Sequence, residues 1–453
     1  MQRLLLKTLL NWKAQAERKP LLIDGARQTG KTYLLKVLFG STFTQILRVD
    51  FLESPEIAEA FAGSLTPTDI ITNLELLTGQ VFNPETDLLI LDEIGECPRA
   101  VTALKYFAEQ APQMYVVASG SNIGLLNSFP VGKVEQHNLR PLTFREFLMA
   151  SGEHALIKAF ESQANSAAAH SKLFDKLTDY YFTGGMPEAV HAWFTLAEQS
   201  ILDRVAAVNK IHSDLVSGYS RDFGKYSGKV DAGLIESVFN NVPAQLSSVL
   251  DESVKRFKFK GVHERKSRYS ELESAINWLD KCRLVLKNYP IDGMPRSPLA
   301  AYKKENVVKL FLFDVGLLNH MLGVSYKEIK QQGYEYKGFV AENFVQQEFA
   351  AQGLEPTFSW GDARAEIEFI ATDDAGRIIP IEVKSGKRTR ARSLESYINK
   401  CAPHKTIKLT GTQGSSVLER THIVLPLYYS EYVVSQHLQA TNPSPPPTAD
   451  AAK

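Results

Sequence analysis

The chain has little cysteine, no long apolar run and no net charge, and each lack narrows what it can be. Its three cysteines, Cys97, Cys282 and Cys401, lie far apart with no metal-ligand spacing. That argues against a disulfide framework and a structural zinc site and fits a reducing compartment. No apolar stretch approaches the roughly 20 residues of a bilayer span. Met1-Gln2-Arg3-Leu4-Leu5-Leu6-Lys7 opens an amphipathic helix rather than a secretory leader, so a cytoplasmic protein with no membrane partner is expected. The 51 basic residues balance 51 acidic ones. This speaks against a protein that coats nucleic acid but leaves room for local basic surfaces. With 44% hydrophobic and 23% charged residues over 453 positions, the composition is that of an ordinary globular chain of about two to four domains.

What is there begins with Leu21-Leu22-Ile23, a short β-like run that feeds Asp24-Gly25-Ala26-Arg27-Gln28-Thr29-Gly30-Lys31-Thr32. Glycines framing a loop that ends in Lys-Thr read as a phosphate-binding P-loop, because the turn brings successive backbone N–H groups around the β- and γ-phosphates. Gly25 and Gly30 permit the tight backbone, Lys31 neutralises phosphate charge, and Thr32 offers its hydroxyl to Mg²⁺. The positive end of the helix starting near Lys31 adds to the anion site. An accidental loop is the bland alternative, and the flanking strand and helix patterns weigh against it.

A second strand, Asp87-Leu88-Leu89-Ile90-Leu91-Asp92-Glu93, supplies the acids that hydrolysis needs. Asp92 is placed to hold Mg²⁺ through water and Glu93 to polarise the attacking water. Met114 to Ala118 reads as another buried strand, with Ser119, Ser121 and Asn122 at its end, where a polar side chain could sense the γ-phosphate. Leu4 to Glu17 reads as a preceding helix, Gln45 to Asp50 as a further strand, and Pro55 to Phe61 and Asp69 to Leu77 as helices. Strands alternating with helices imply a parallel sheet covered on both faces.

Beyond Ala150 the pattern turns helical, with Gln163 to His170 as an exposed connection or a weak helix. Gly184-Gly185-Met186-Pro187-Glu188 breaks it with a sharp turn that is either a helix–helix corner or backbone laid close to a nucleotide. Leu234 to Leu250 and Ser270 to Tyr289 are helix patterns flanking a segment in which basic and aromatic residues interleave. Lys255, Arg256, Lys258, Lys260, Arg265, Lys266 and Arg268 could track a phosphate backbone there, or form a solvated basic face. With Val308 to Leu312 as a late strand, the region has the outline of a winged helix. Further on, Glu366 and Glu368 alternate with Ile367 and Phe369, and Glu382 and Lys384 with Ile381 and Val383. A carboxylate on one strand and Glu-x-Lys on the next is an arrangement used by metal-dependent nucleases; an amphipathic hairpin with a charged face gives the same alternation. The segment from Asn442 to Thr448 is too proline-rich and polar to pack, so disorder is expected from about Ala440.

Taken together these motifs resemble the prokaryotic AAA-type (STAND-like) P-loop ATPases that carry a C-terminal domain of unknown function with a restriction-endonuclease-like fold. The resemblance rests on the P-loop, Leu91-Asp92-Glu93-Ile94, Ser119-Gly120-Ser121, Leu139 to Phe147, Gly184 to Glu188, Asp314-Val315-Gly316-Leu317-Leu318 and Ile381 to Gly386. It implies an α/β fold: a P-loop NTPase parallel sheet, then a helical and winged-helix region, then a small α/β restriction-endonuclease-like domain. It also implies ATP and Mg²⁺ as ligands, a nuclease-like site at Glu342, Glu368, Glu382 and Lys384, and homo-oligomers in which neighbours complete each site. Two departures stand out. Glu368 falls where the family usually has Asp, and Gly132-Lys133 falls where it often has Gly-Arg, so no arginine finger is named.

The expected boundaries are 1–150 for the ATPase core, 151–228 for a helical lid, 229–325 for the winged-helix region, 326–430 for the nuclease-like domain and 431–453 for the end segment. The expected function is an Mg²⁺-dependent ATPase that repositions its C-terminal half on DNA. The rival is a nucleotide-gated switch that binds a protein partner, with an inactive nuclease-like domain.

Overall fold

The computed structural model describes residues 1–121, 123–125, 129–226, 228, 230–248, 256–331, 337–362, 365–386, 392–414 and 421–438. Asn122, Lys255, the basic residues at 387–390 and the tail from Ala440 lie outside the described residues. The chain divides into two compact units, one built from 1–152, 183–239 and 271–285, the other from 153–182, 240–270 and 286–453.

In the first unit, α1 (Leu5–Lys13) precedes β1 (Leu21–Asp24), β2 (Ile46–Asp50), α2 (Pro67–Thr78), β3 (Leu88–Asp92), α3 (Pro98–Gln110), β4 (Tyr115–Gly120), β5 (Glu135–Asn138) and α4 (Phe144–Ala150). The sheet order is β2-β3-β4-β1-β5 and every pairing is parallel. β3 is buried along its whole length, which is why its sequence is a continuous apolar run rather than an alternating one. Its side chains go to two cores: Leu89 and Leu91 pack with α2 and α3 residues such as Leu74 and Leu104, while Leu88 and Ile90 pack with Leu9, Trp12 and Phe39. The sheet is therefore covered on both faces, as the periodicity predicts. β1 lies beside β4 and close to β3, so the loop leaving its end opens next to Asp92 and Ser119.

Strand β5 escapes sequence reading because Glu135, Gln136, His137 and Asn138 are polar; an edge strand needs no apolar alternation. The helix after the P-loop, Tyr33–Phe39, has π-type winding.

In chain order, α4 is followed by α5 (His154–Glu161), α6 (Ala167–Thr183), α7 (Pro187–Thr195), α8 (Ile201–Tyr226), α9 (Ala232–Ser247) and α10 (Tyr269–Lys281). The small-residue stretch resolves into the start of α6 at Ala167. The helix expected over Ser270 to Tyr289 is shorter: α10 ends at Lys281, Arg283 adopts φ 63°, and β6 (Val285–Asp292) follows. Buried Val285, Leu286 and Tyr289 pack on a sheet, and that tertiary burial overrides their helical spacing.

The second unit centres on a seven-stranded mixed sheet ordered β12-β11-β10-β9-β8-β6-β7. It uses β6, β7 (Lys309–Leu312), β8 (Thr357–Gly361), β9 (Glu366–Thr372), β10 (Ile378–Lys384), β11 (Thr406–Thr410) and β12 (His422–Pro426). Thus β6 and β7, which the sequence assigns to a winged-helix region, form one end of this sheet. Beside the helical stretch 153–182, the unit also contains the helices α11 (Val315–Met321), α12 (Tyr326–Lys330), α13 (Lys337–Ala351) and α14 (Arg392–Cys401). Phe349 of α13 meets Phe369 of β9 edge-on at 5.2 Å, and Tyr397 of α14 meets Trp360 of β8 at 4.9 Å. Among the described residues no helix is long and apolar enough to cross a membrane.

Candidate functional site

The P-loop takes the shape its glycines permit. A Cβ at Gly25 would run into the Leu139 carbonyl oxygen, Gly30 has φ 89°, and Gln28 adopts φ 64° at the loop's crest. Lys31 is 6% exposed and donates to the Gly25 and Ala26 carbonyls, both at 2.9 Å. Burial lowers its pKa below the ordinary lysine value, against the opposing pull of Glu93, Asp24 and Asp92. Thr29 donates back to Ala26 at 2.9 Å.

Asp92 sits at the end of β3 with 2% exposure. Its Oδ2 accepts the Thr32 hydroxyl at 2.9 Å and its Oδ1 accepts Ser119 Oγ. The next residue, Glu93, has φ 48° and ψ 45°, an uncommon conformation for a non-glycine residue. Its carboxylate accepts the Ser121 hydroxyl at 3.2 Å. The structure thus gathers Lys31, Thr32, Asp92, Glu93, Ser119 and Ser121 at one end of the sheet. A hydroxyl joined to a nearly buried carboxylate is an oxygen donor set that suits Mg²⁺.

Several residues that hold this loop carry no sequence signal. Arg3 donates to the Thr29 carbonyl at 2.7 Å, the Arg140 carbonyl at 2.7 Å and Glu146 at 3.0 Å. The capping box that Thr143 and Glu146 form at the start of α4 engages the other Glu146 oxygen, Oε2, and holds the carboxylate in place for Arg3. From α8, Asp222 takes the Arg27 guanidinium at 2.6 Å and the Tyr219 hydroxyl donates to the Arg27 carbonyl at 2.9 Å. Burial raises the Asp222 pKa although Arg27 pulls it down. After α10, Arg283 reaches the buried Asp24 at 3.1 Å. Arg48 of β2 reaches Asp92 at 2.9 Å. Signals were available for Arg48, which strand alternation puts on the face of Asp50, and for Glu146, which lies three residues after Thr143 as in a capping box. Lys133 is paired with Glu109 at 2.7 Å.

A cavity of about 310 Å³ adjoins Gly30 and is also lined by Arg3, Tyr33, Leu142, Pro187 and His191. Pro187 is brought there by the Gly184-Gly185 turn. Leu142 N–H bonds the Gly185 carbonyl at 2.7 Å, an approach so close that a Cβ at Gly185 would collide with the Leu142 carbonyl oxygen.

In the second unit the four nuclease-like candidates fall in one charged cluster, together with a lysine the sequence did not single out. Lys309 of β7 pairs with Glu342 of α13 at 2.5 Å, and Lys384 lies 3.1 Å from Glu368 and 3.5 Å from Glu382. Glu382 is fully buried, and among the described residues neither carboxylate oxygen has a hydrogen-bond partner. Burial holds the Glu368 carboxyl above its usual range; Lys384 opposes that and Glu342 adds to it. Burial pulls the Lys309 ammonium down, but Glu342 and its acidic neighbours more than offset this. Among the described residues no group of three or more His, Cys, Asp or Glu is arranged to hold a metal ion.

Of the basic segment, Arg256, Lys258, Lys260, Arg265 and Arg268 are exposed and Lys266 is half-buried. Phe257 points inward at 4% exposure, so Arg256, Lys258 and Lys260 form an alternating outward row.

Residues 17–148 match a family model described as an AAA domain, and residues 174–328 and 337–430 match two models described as domains of unknown function, DUF8612 and DUF4143. The parallel sheet, the P-loop and the acidic strand agree with the first of these. The chain carries an AAA-type P-loop ATPase domain. Among solved structures it is similar to Drosophila ORC bound to DNA, with 13% identity over 70% of this chain and 84% of that chain and a TM-score of 0.27. It is similar to C. elegans PCH-2 at 13% identity, covering 61% and 64%, with a TM-score of 0.22. A STAND signal transduction ATPase with a tetratricopeptide repeat sensor from Pyrococcus horikoshii also matches at 13% identity, covering 76% and 44%, with a TM-score of 0.22. No curated protein matches the chain.

Proposed function

We propose that this protein is an Mg²⁺-dependent ATPase that couples its nucleotide state to the C-terminal half of the chain, and that this half acts on DNA. The observation that carries the reading is the pairing of Thr32 with Asp92 beside Glu93 held in its left-handed conformation. Thr32 and Asp92 would hold Mg²⁺, which supplies charge neutralisation for the transferred phosphoryl group. Lys31 is the cation for the β- and γ-phosphates. Glu93 is the base that orients water for attack, and Ser121 fixes its carboxylate. The cavity beside Gly30 is the place for the base and ribose, between Tyr33 and Pro187. Support for DNA comes from the exposed row of Arg256, Lys258 and Lys260.

Glu93→Gln tests the hydrolytic part. It should keep ATP binding and cut turnover by about 10²-fold or more, because it removes the base and keeps the shape. Unchanged turnover would sink the assignment.

A second reading is favoured by one observation. In the C-terminal cluster two lysines already pair with the carboxylates that a nuclease would commit to metal. On that reading the domain is a scaffold and the ATPase a switch for a protein partner. Metal-dependent DNA cleavage that disappears in Lys384→Ala would eliminate it.

A further inference from the structure

Arg48 belongs to no nucleotide-binding motif, yet it is one of the groups closest to Asp92. β2 and β3 run parallel with Asp50 opposite Asp92, so Arg48 and Asp50 share a face at the end of the sheet where Asp92 sits. Arg48 Nη2 donates to Asp92 Oδ2 at 2.9 Å and Nε to the same oxygen at 3.2 Å. That oxygen is also the acceptor of the Thr32 hydroxyl at 2.9 Å. The other carboxylate oxygen is taken by Ser119. A carboxylate oxygen has two lone pairs, and Oδ2 has both engaged.

We propose that Arg48 is a positioning residue that competes with Mg²⁺ for Asp92 and so sets the metal concentration at which the ATPase site is loaded. This rests on the ATPase reading above. The guanidinium has somewhere to go when metal arrives. Its Nη2 also donates to Asp50, and Nη1 lies 3.4 Å from Glu53, whose side chain is 72% exposed. Arg48 can therefore leave Asp92 without becoming an unpaired cation. While it stays, one positive charge sits on the oxygen that Mg²⁺ would use, and two cations at that spacing repel. Free Mg²⁺ is disfavoured at the site, and metal escorted by phosphates is favoured, because the phosphates repay the displacement.

The test uses the full chain with Mn²⁺ as the metal probe, read by electron paramagnetic resonance with and without ADP, and metal-free ADP binding as a control. Arg48→Ala should bind Mn²⁺ about tenfold more tightly than the wild type in the absence of ADP, since one competing charge is gone. The gap should narrow when ADP is present, and Arg48→Lys should stay close to wild type because it restores the charge. A purely structural role for Arg48 would instead weaken Mn²⁺ binding in both variants. Unchanged or weaker Mn²⁺ binding in Arg48→Ala, with ADP binding intact, overturns the inference while leaving the ATPase reading standing. Failure of the wild type to bind ADP at all overturns both. Should Arg48→Ala not fold, Arg48→Gln makes the same test, as it removes the charge and keeps a polar side chain on the strand.

Discussion

Asp24, fully buried just before the P-loop, accepts the Gly25 amide at 2.8 Å through one oxygen and the Arg283 guanidinium at 3.1 Å through the other. One end of the nucleotide loop is thereby fixed by a residue that lies beyond the AAA match, just after α10. Breaking a buried ion pair costs about 3–5 kcal/mol, and with the Arg283 side chain 29% exposed about 2 kcal/mol is the reasonable expectation here. Arg283→Ala should lower the denaturant midpoint and weaken ADP binding, as the loop loses one anchor. Asp24→Asn, which keeps an acceptor for Gly25 and sheds the buried charge, should be milder. Chemical denaturation and ADP titration of the two variants check this; a silent Arg283→Ala would show that the pair does not hold the loop.

The Gly185 turn makes a sharper steric prediction. Gly185→Ala places a methyl group against the Leu142 carbonyl oxygen, which is backbone and has little freedom to move. Overpacking of this kind costs about 1–3 kcal/mol. The variant should unfold at lower denaturant, and it should also distort the cavity through Pro187. Gly63→Ala, where an added Cβ meets nothing within 4 Å, is the matched control and should be close to neutral.

The residues gathered at the proposed site are legible because each lies in a contiguous local pattern. A strand, a glycine-framed loop and an acidic strand end each carry a local pattern, and the sheet topology brings the three patterns together. The residues that hold the site were not legible. Asp222 and Arg27 are 195 positions apart, and a tyrosine or aspartate on a long helix has no local signature of a distant partner. In the C-terminal sheet, alternation correctly put Glu382 and Lys384 on one face. Lys309 was missed because it lies in an apolar strand, and its role depends on Glu342 arriving from α13. The end of α10 was misjudged since Leu284, Val285 and Leu286 fit helical spacing as well as a buried strand, and only burial in the second unit's sheet decides between them.

His437, in the helical turn after β12, gives a pH prediction. Burial, with Lys405 nearby, pushes its pKa down from 6.5 to about 4. The folded state therefore disfavours the imidazolium, so its contribution to stability is present above pH 6.5 and is lost as pH falls from 6.5 toward 4. His437→Gln, which cannot charge, should flatten that part of the acid limb. Thermal unfolding followed between pH 7 and pH 4.5 reads it; an identical slope in the variant would assign the acid loss to other groups.

The basic row offers the cleanest division between the DNA-directed ATPase and the protein-directed switch. Its backbone is held independently of its charges: Gln245 bonds both the Lys258 N–H, at 2.7 Å, and the Lys258 carbonyl, at 2.8 Å, while Phe257 N–H bonds Val308 at 2.7 Å. Alanine at Arg256, Lys258 and Lys260 should therefore leave the fold and ADP binding alone. If these side chains neutralise phosphates, each lost contact reduces the slope of log affinity against log salt by about 0.9 on duplex DNA. The triple variant should then lose up to about three such units and bind DNA weakly at every sequence. It should also lose whatever stimulation DNA gives to ATP hydrolysis in the wild type. A wild type whose hydrolysis responds to salt-sensitive DNA binding, and a triple variant that matches it, would move the DNA surface elsewhere on the chain. Hydrolysis indifferent to duplex, branched and single-stranded DNA alike would favour the switch, because a motor working on DNA must couple its turnover to its track.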